Sequence, residues 1–115
     1  MKEREALRER YLRDAFPVRL GGLAANLSRV RSFAGHDANR DVVESIIDES
    51  KYLIEWTAAE AEVNTAAEWV DLQVRLACWQ RNWAAIWADP VRRREVAEQS
   101  AAWSQRLLSL SGLLA

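Results

Sequence analysis

The sequence predicts an all-α chain, arranged as an antiparallel up-down four-helix bundle behind a charged N-terminal helical arm. Three observations lead there. Apolar residues recur at alternating three- and four-residue steps in four separate stretches, the spacing of a helix seam. No segment alternates with period two between turn residues, so no strand is expected. The four stretches are separated by short breaks, and short connections favour antiparallel neighbours. At 115 residues the chain has the size of one domain. We therefore read residues 1–115 as a single unit, with residues 1–15 as the arm and 16–115 as the bundle.

Residues 2–15 are dense in charge of both signs, with Leu7, Tyr11 and Leu12 as a sparse apolar side. Pro17 marks a boundary: proline suits a first helical turn and pushes Phe16 out of helical dihedrals. Phe16, Leu20, Leu23, Leu27 and Val30 then form the first seam. Gly21, Gly22, Ala24 and Ala25 make a thin patch on which a large side chain could lie, and Trp79 and Trp83 are its expected partners. The run 34–39 reads as a loop, with Gly35 as a helix C-cap and Asp37 or Asn39 as the next N-cap. The second helix should extend to about Trp56, burying Val43, Ile46, Ile47, Leu53 and Ile54. Its opposite face carries Asp41, Glu44, Asp48 and Glu55.

The third helix organises the rest. From Thr65 to Ala88, Trp69, Leu72, Leu76, Trp79, Trp83 and Ile86 share one seam, with Trp87 beside it. Thr57-Ala-Ala-Glu60 and Thr65-Ala-Ala-Glu68 both match a capping box, and the second is the preferred start. Asp89-Pro90 is the strongest punctuation, an N-cap followed by proline at the first helical position. The last helix should bury Val96, Ser100, Trp103, Leu107 and Leu110 and stop near Gly112. Residues 1–33 hold eight basic and four acidic residues, and residues 34–64 two basic and eight acidic. That opposition favours pairing the first two helices.

Composition narrows the function classes. Sixteen basic and seventeen acidic residues nearly cancel, which argues against general nucleic-acid binding. Cys78 is the single cysteine, so no intrachain disulfide is expected, and a reducing cytoplasm is the simplest setting. On its helix this cysteine is expected to be buried and inert. The N-terminal residues are too charged for a signal peptide core. No apolar run approaches the ~20 residues of a membrane span. Neither metal nor cofactor is expected: no di-iron, zinc or phosphate-loop pattern occurs, and the acidic line on the second helix does not converge on a point. Arg92-Arg93-Arg94 would sit beside the positive end of a helix, which calls for an acidic neighbour.

One pair invites a catalytic reading. Arg31-Ser-Phe-Ala-Gly-His36 has the Arg-x4-His spacing of the HEPN ribonucleases and resembles them over these six residues. The resemblance implies a helical bundle whose Arg31 and His36 point into a cleft at a dimer interface and attack an RNA phosphodiester. In that family the motif lies late in the chain on a helix; here it lies early, and Gly35 precedes the histidine. The bland alternative is a loop histidine near a solvated arginine. A third reading takes the tryptophans as the lining of a small-molecule pocket instead of as core.

The surplus of apolar surface supports the main expectation: a small soluble helical interaction module that forms a homodimer or binds another protein, without catalytic chemistry. With the main seam turned inward, Val63, Val70 and Val74, together with Ala67 and Ala85, project outward, and Tyr52 and Trp56 occupy or border the outward side of the second helix. Leu113-Leu114 adds a further apolar piece. Contiguous apolar surface of this kind marks an interface. The competing expectation is that the arm folds back and covers these residues through Leu7, Tyr11 and Leu12.

Overall fold

The three- and four-residue spacing is expressed as helix along the chain. In the computed structural model, which describes residues 2–112, there are six α-helices: α1 (Lys2–Arg13), α2 (Phe16–Phe33), α3 (Arg40–Ala58), α4 (Val63–Arg81), α5 (Trp83–Ala88) and α6 (Pro90–Ser111). A single 3-10 turn, Asp37–Asn39, precedes α3. The described residues contain no strand. Leu113 and Leu114 lie outside them. The Cα radius of gyration is 13.9 Å, close to the ~13 Å of a compact chain of this length.

The seams enclose a common core. Leu20, Leu23, Leu27 and Val30 of α2, Val43, Ile47, Leu53 and Ile54 of α3, and Trp69, Leu72, Leu76 and Trp79 of α4 are all buried. Phe16 and Ile46 pack at its edge. On α6, Val96, Ser100, Ser104 and Leu107 are buried, while Trp103 and Leu110 are half-buried. Cross-bonds give the directions of neighbouring helices. Gln73 donates to the Lys51 carbonyl at 3.1 Å and Gln80 to Asp48 Oδ1 at 3.0 Å, so α3 and α4 run antiparallel. Arg106 holds Glu68 through two bonds of 2.8 and 3.2 Å, and Arg75 donates to Gln99 at 3.1 Å, so α4 and α6 also oppose.

At Ala24 and Gly22 the small patch on α2 meets α6 and the arm. Ala24 is buried and its carbonyl accepts a 2.8 Å bond from Ser104 of α6. Alanine against serine lets the two backbones approach, and α2 makes its broadest contact with α6. Gly22 instead leaves room for the Tyr11 ring, 4.0 Å from where a Cβ would stand. Ala25 is exposed. Trp83 is buried as its spacing requires, but it lies beyond the end of α2, donating from Nε1 to the Arg40 carbonyl at 3.0 Å.

The long central helix is broken once. At Asn82 (φ −109, ψ 20) the backbone N–H is shared between the Cys78 and Trp79 carbonyls, and the side-chain amide donates to Cys78 O at 2.9 Å. Asparagine competes in this way with the helix ladder. The seam crosses the break intact, since Trp83, Ile86 and Trp87 remain buried on α5.

Local signals divide similarly. Asp89 caps α6, accepting from Val91 N at 3.0 Å and Arg92 N at 3.5 Å. Gly112 ends it in the left-handed region (φ 75). Neither capping box forms: Thr57 belongs to the last turn of α3, where its hydroxyl bonds back to Leu53 O at 2.7 Å, and α4 begins two residues before Thr65. Gly35 does not take a left-handed conformation, because α2 has already ended at Phe33 with Ala34 as its cap. Asn39 stands at the N-cap position of α3, but its side chain donates back to Phe33 O at 3.1 Å and gives α3 no capping bond.

Candidate interaction surface

α1 folds back over the groove between α2 and α3. Its anchor is Tyr11, which is buried: its hydroxyl lies 3.0 Å from the Arg19 carbonyl and 2.7 Å from Thr57 Oγ1, which itself lies 2.7 Å from Leu53 O. Burial pushes the Tyr11 phenol above its usual range, only partly opposed by the Thr57 bond. Arg4 lies 3.8 Å from the Tyr52 ring centre and 3.7 Å from Asp48. Trp56 is flanked by Tyr11 and Tyr52, with ring centroids at 6.1 and 5.9 Å. Tyr52 and Trp56 are consequently half-buried beneath the arm. An open, mostly charged groove of about 710 Å³ remains between α1 and α3, with Arg4, Glu44, Asp48 and Trp56 among its walls.

The outer face of α4 has no such cover. Val63 is 81% exposed, Val70 49% and Val74 57%. Ala67 and Ala77 are exposed in the same line. The steps from 63 to 67, 70, 74 and 77 alternate four and three, which makes a second seam on the side opposite the tryptophans. A shallow depression of about 390 Å³ runs beside it, lined by Lys51, Tyr52 and Glu55 of α3 and Gln73, Val74 and Ala77 of α4. Ala77, Lys51 and Glu55 complete this surface. Ala77 was legible as the next step of the seam, whereas the α3 residues required the register between the two helices. Ala85, grouped with these valines by its sequence position, lies past the Asn82 break on α5.

The other singled-out residues stand apart. Arg31 and His36 are both exposed, and α2 ends three residues before the histidine, so they do not share a helix face. Neither lines the depressions described above. Cys78 is exposed and not buried, because the turn of α4 that buries Leu76 and Trp79 directs position 78 outward. Trp69, Trp79, Trp83 and Trp87 are core, between 0 and 8% exposed. Arg93 finds the acidic neighbour that its place at a helix N-terminus requires: it pairs with Asp37 and lies 4.8 Å over the Trp87 ring. Trp87 in turn donates to the Asp37 carbonyl at 3.1 Å.

Electrostatics add two further features. Arg19 is 5% exposed and pairs with Glu60 through Nη2, while its Nε and Nη1 have no protein partner. The Arg106 guanidinium holds the Glu68 carboxyl below its ordinary range. Among the described residues no three His, Cys, Asp or Glu side chains gather as a metal site, and no helix is long and apolar enough to cross a membrane. Set beside models of protein families, curated proteins and solved structures, the chain matches none of them.

Proposed function

We propose that this chain is a helical protein-interaction module that pairs with a second copy of itself through the outer face of α4, and that it carries no catalytic chemistry. The observation behind this reading is the continuous exposed line Val63, Ala67, Val70, Val74 and Ala77. Single exposed apolar residues are ordinary, but three valines in helical register on one face are not scattered. We read the scaffold as an up-down four-helix bundle of α2, α3, α4 continued by α5, and α6. The antiparallel bonds from α3 to α4 and from α4 to α6 support that reading. α1 is its arm, and the arm covers Tyr52 and Trp56 within one chain, which leaves the α4 valines as the core of the interface. A closed two-fold dimer leaves no adhesive face free to propagate. The single exposed thiol suits a reducing compartment such as the cytoplasm. Ribonuclease chemistry through Arg31 and His36 draws no support from two exposed side chains on different elements.

Light scattering at micromolar concentration tests the proposal. The expected mass is that of two chains. Val70→Glu with Val74→Glu should return it to one chain while the helical circular dichroism stays intact. A wild-type mass of one chain overturns the proposal.

A further inference from the structure

Resting on that reading, we infer that the second copy docks antiparallel to the first, about a two-fold axis that runs past α4 at the level between Val70 and Val74 and past α3 at the level between Lys51 and Glu55. The register within one chain carries this. The bonds from Gln73 to Lys51 O and from Gln80 to Asp48 put residues 70–74 of α4 level with residues near 51–55 of α3. An axis perpendicular to the helices, lying in the interface plane, keeps α3 of both copies on the same side of the α4 pair. Val70 then meets Val74 of the partner subunit, and Ala67 meets the partner's Ala77. Where the seam ends in alanine, the two backbones are free to close.

The charges on α3 fit the same operation. Lys51 and Glu55 lie four residues apart and both line the depression beside the stripe. Rotation about an axis midway between them sets Lys51 against the partner's Glu55 and Glu55 against the partner's Lys51. Two opposite-sign pairs form from one surface. Parallel docking, about an axis along the helices, instead carries α3 across to the flank of α4 that holds Glu68, Asp71 and Arg75. Glu55 would then lie at the height of Asp71, while Glu68 beside it is held by Arg106. Like-charge juxtaposition of this kind selects against a wrong register. The valines supply the association and the Lys51–Glu55 exchange sets its direction.

A charge-reversal cycle read by sedimentation equilibrium tests the direction. Lys51→Glu alone and Glu55→Lys alone should each weaken the dimer, by about tenfold or more for two like-charge contacts. The double reversal restores opposite signs at both places and should return the dissociation constant to within about threefold of wild type. Nitroxides on Cys78, six residues from the axis, should stand roughly 20 Å apart, against roughly 10 Å for parallel helices. Single reversals without effect, a Glu55→Lys variant that tightens the dimer, or the shorter spin distance would overturn the antiparallel register while leaving self-association in place. A dimer that survives Val70→Glu with Val74→Glu would move the interface off α4 and overturn it too. A wild-type chain that is a monomer removes both proposals together.

Discussion

Tyr11 concentrates much of what holds the arm. Its ring lies in the space left by Gly22 and packs tilted against Trp56, and its hydroxyl is shared between the Arg19 carbonyl and Thr57. Burial raises its phenol, so the folded chain keeps that proton where the unfolded chain has lost it. The associated stability is fully present below the unfolded value of about 10 and is lost as pH rises from there through the folded value. Melting temperature should therefore fall above about pH 10, and Tyr11→Phe should remove that part of the slope. At neutral pH the same variant should cost about 1 kcal/mol, the net worth of its hydrogen bonding. Thermal melts of both proteins across that range check the two effects together. The sequence marked Tyr11 only as one of three apolar residues on a charged stretch. Its hydroxyl contacts join residues 8 and 46 positions apart, and no local pattern encodes them. Buried Arg19 was illegible for the same reason: its carboxylate partner, Glu60, lies beyond the next helix.

Among the elements, seams were readable, and the breaks marked by proline or by Gly112 were too, but the others were not. Apolar spacing depends only on which face must leave water, so the buried sets of α2, α3 and α4 follow from it directly. Helix ends depend on competition between nearly equal local hydrogen bonds. Thr57 and Thr65 open identical Thr-Ala-Ala-Glu strings, yet Thr57 bonds back within α3 and neither caps a helix. Asn82 breaks a seam that continues on both sides, so periodicity alone runs straight through it. The α2–α6 contact was half-legible: the small residues of α2 and Ser100 were plain, but Ser104, which meets Ala24, carries no apolar signal. Ser104 is 5% exposed and bonded to Ala24 O. Ser104→Ala should cost about 1 kcal/mol for the lost bond. Ser104→Leu should cost more, about 1–3 kcal/mol of overpacking added to it, because the backbones must part. Urea denaturation of the two variants separates the terms: equal midpoints would mean that α6 is free to shift.

Over the whole molecule, opposite charge on the first and second segments proved a fair guide to pairing. Arg4 on Asp48 and Arg19 on Glu60 both link the basic N-terminal third to the acidic stretch that follows. The arm covers Tyr52 and Trp56 and leaves Val63, Val70 and Val74 exposed, so the covering expected from the sequence reaches only part of that set. Deleting residues 1–14 should uncover Tyr52, Trp56 and Thr57 and lower stability by about 2–4 kcal/mol, in the range for removing a large buried side chain. It should leave the dimer mass unchanged, since the arm does not reach the outer valines of α4. Light scattering on the shortened chain checks this, and a single-chain mass there would assign the association to the arm.

The short helix that follows Asn82 also gives the protein an optical signature. Trp83 and Trp87 sit one turn apart on α5, with ring centroids 5.5 Å apart and planes at 41°. Indoles that close and that oblique share their excitation, so their ultraviolet circular dichroism splits into paired bands of opposite sign. Both rings are tethered by their N–H groups to backbone carbonyls at Asp37 and Arg40. The split signal therefore reports whether that one end of the molecule is shut. It should fade on local opening there well before the overall helical signal declines.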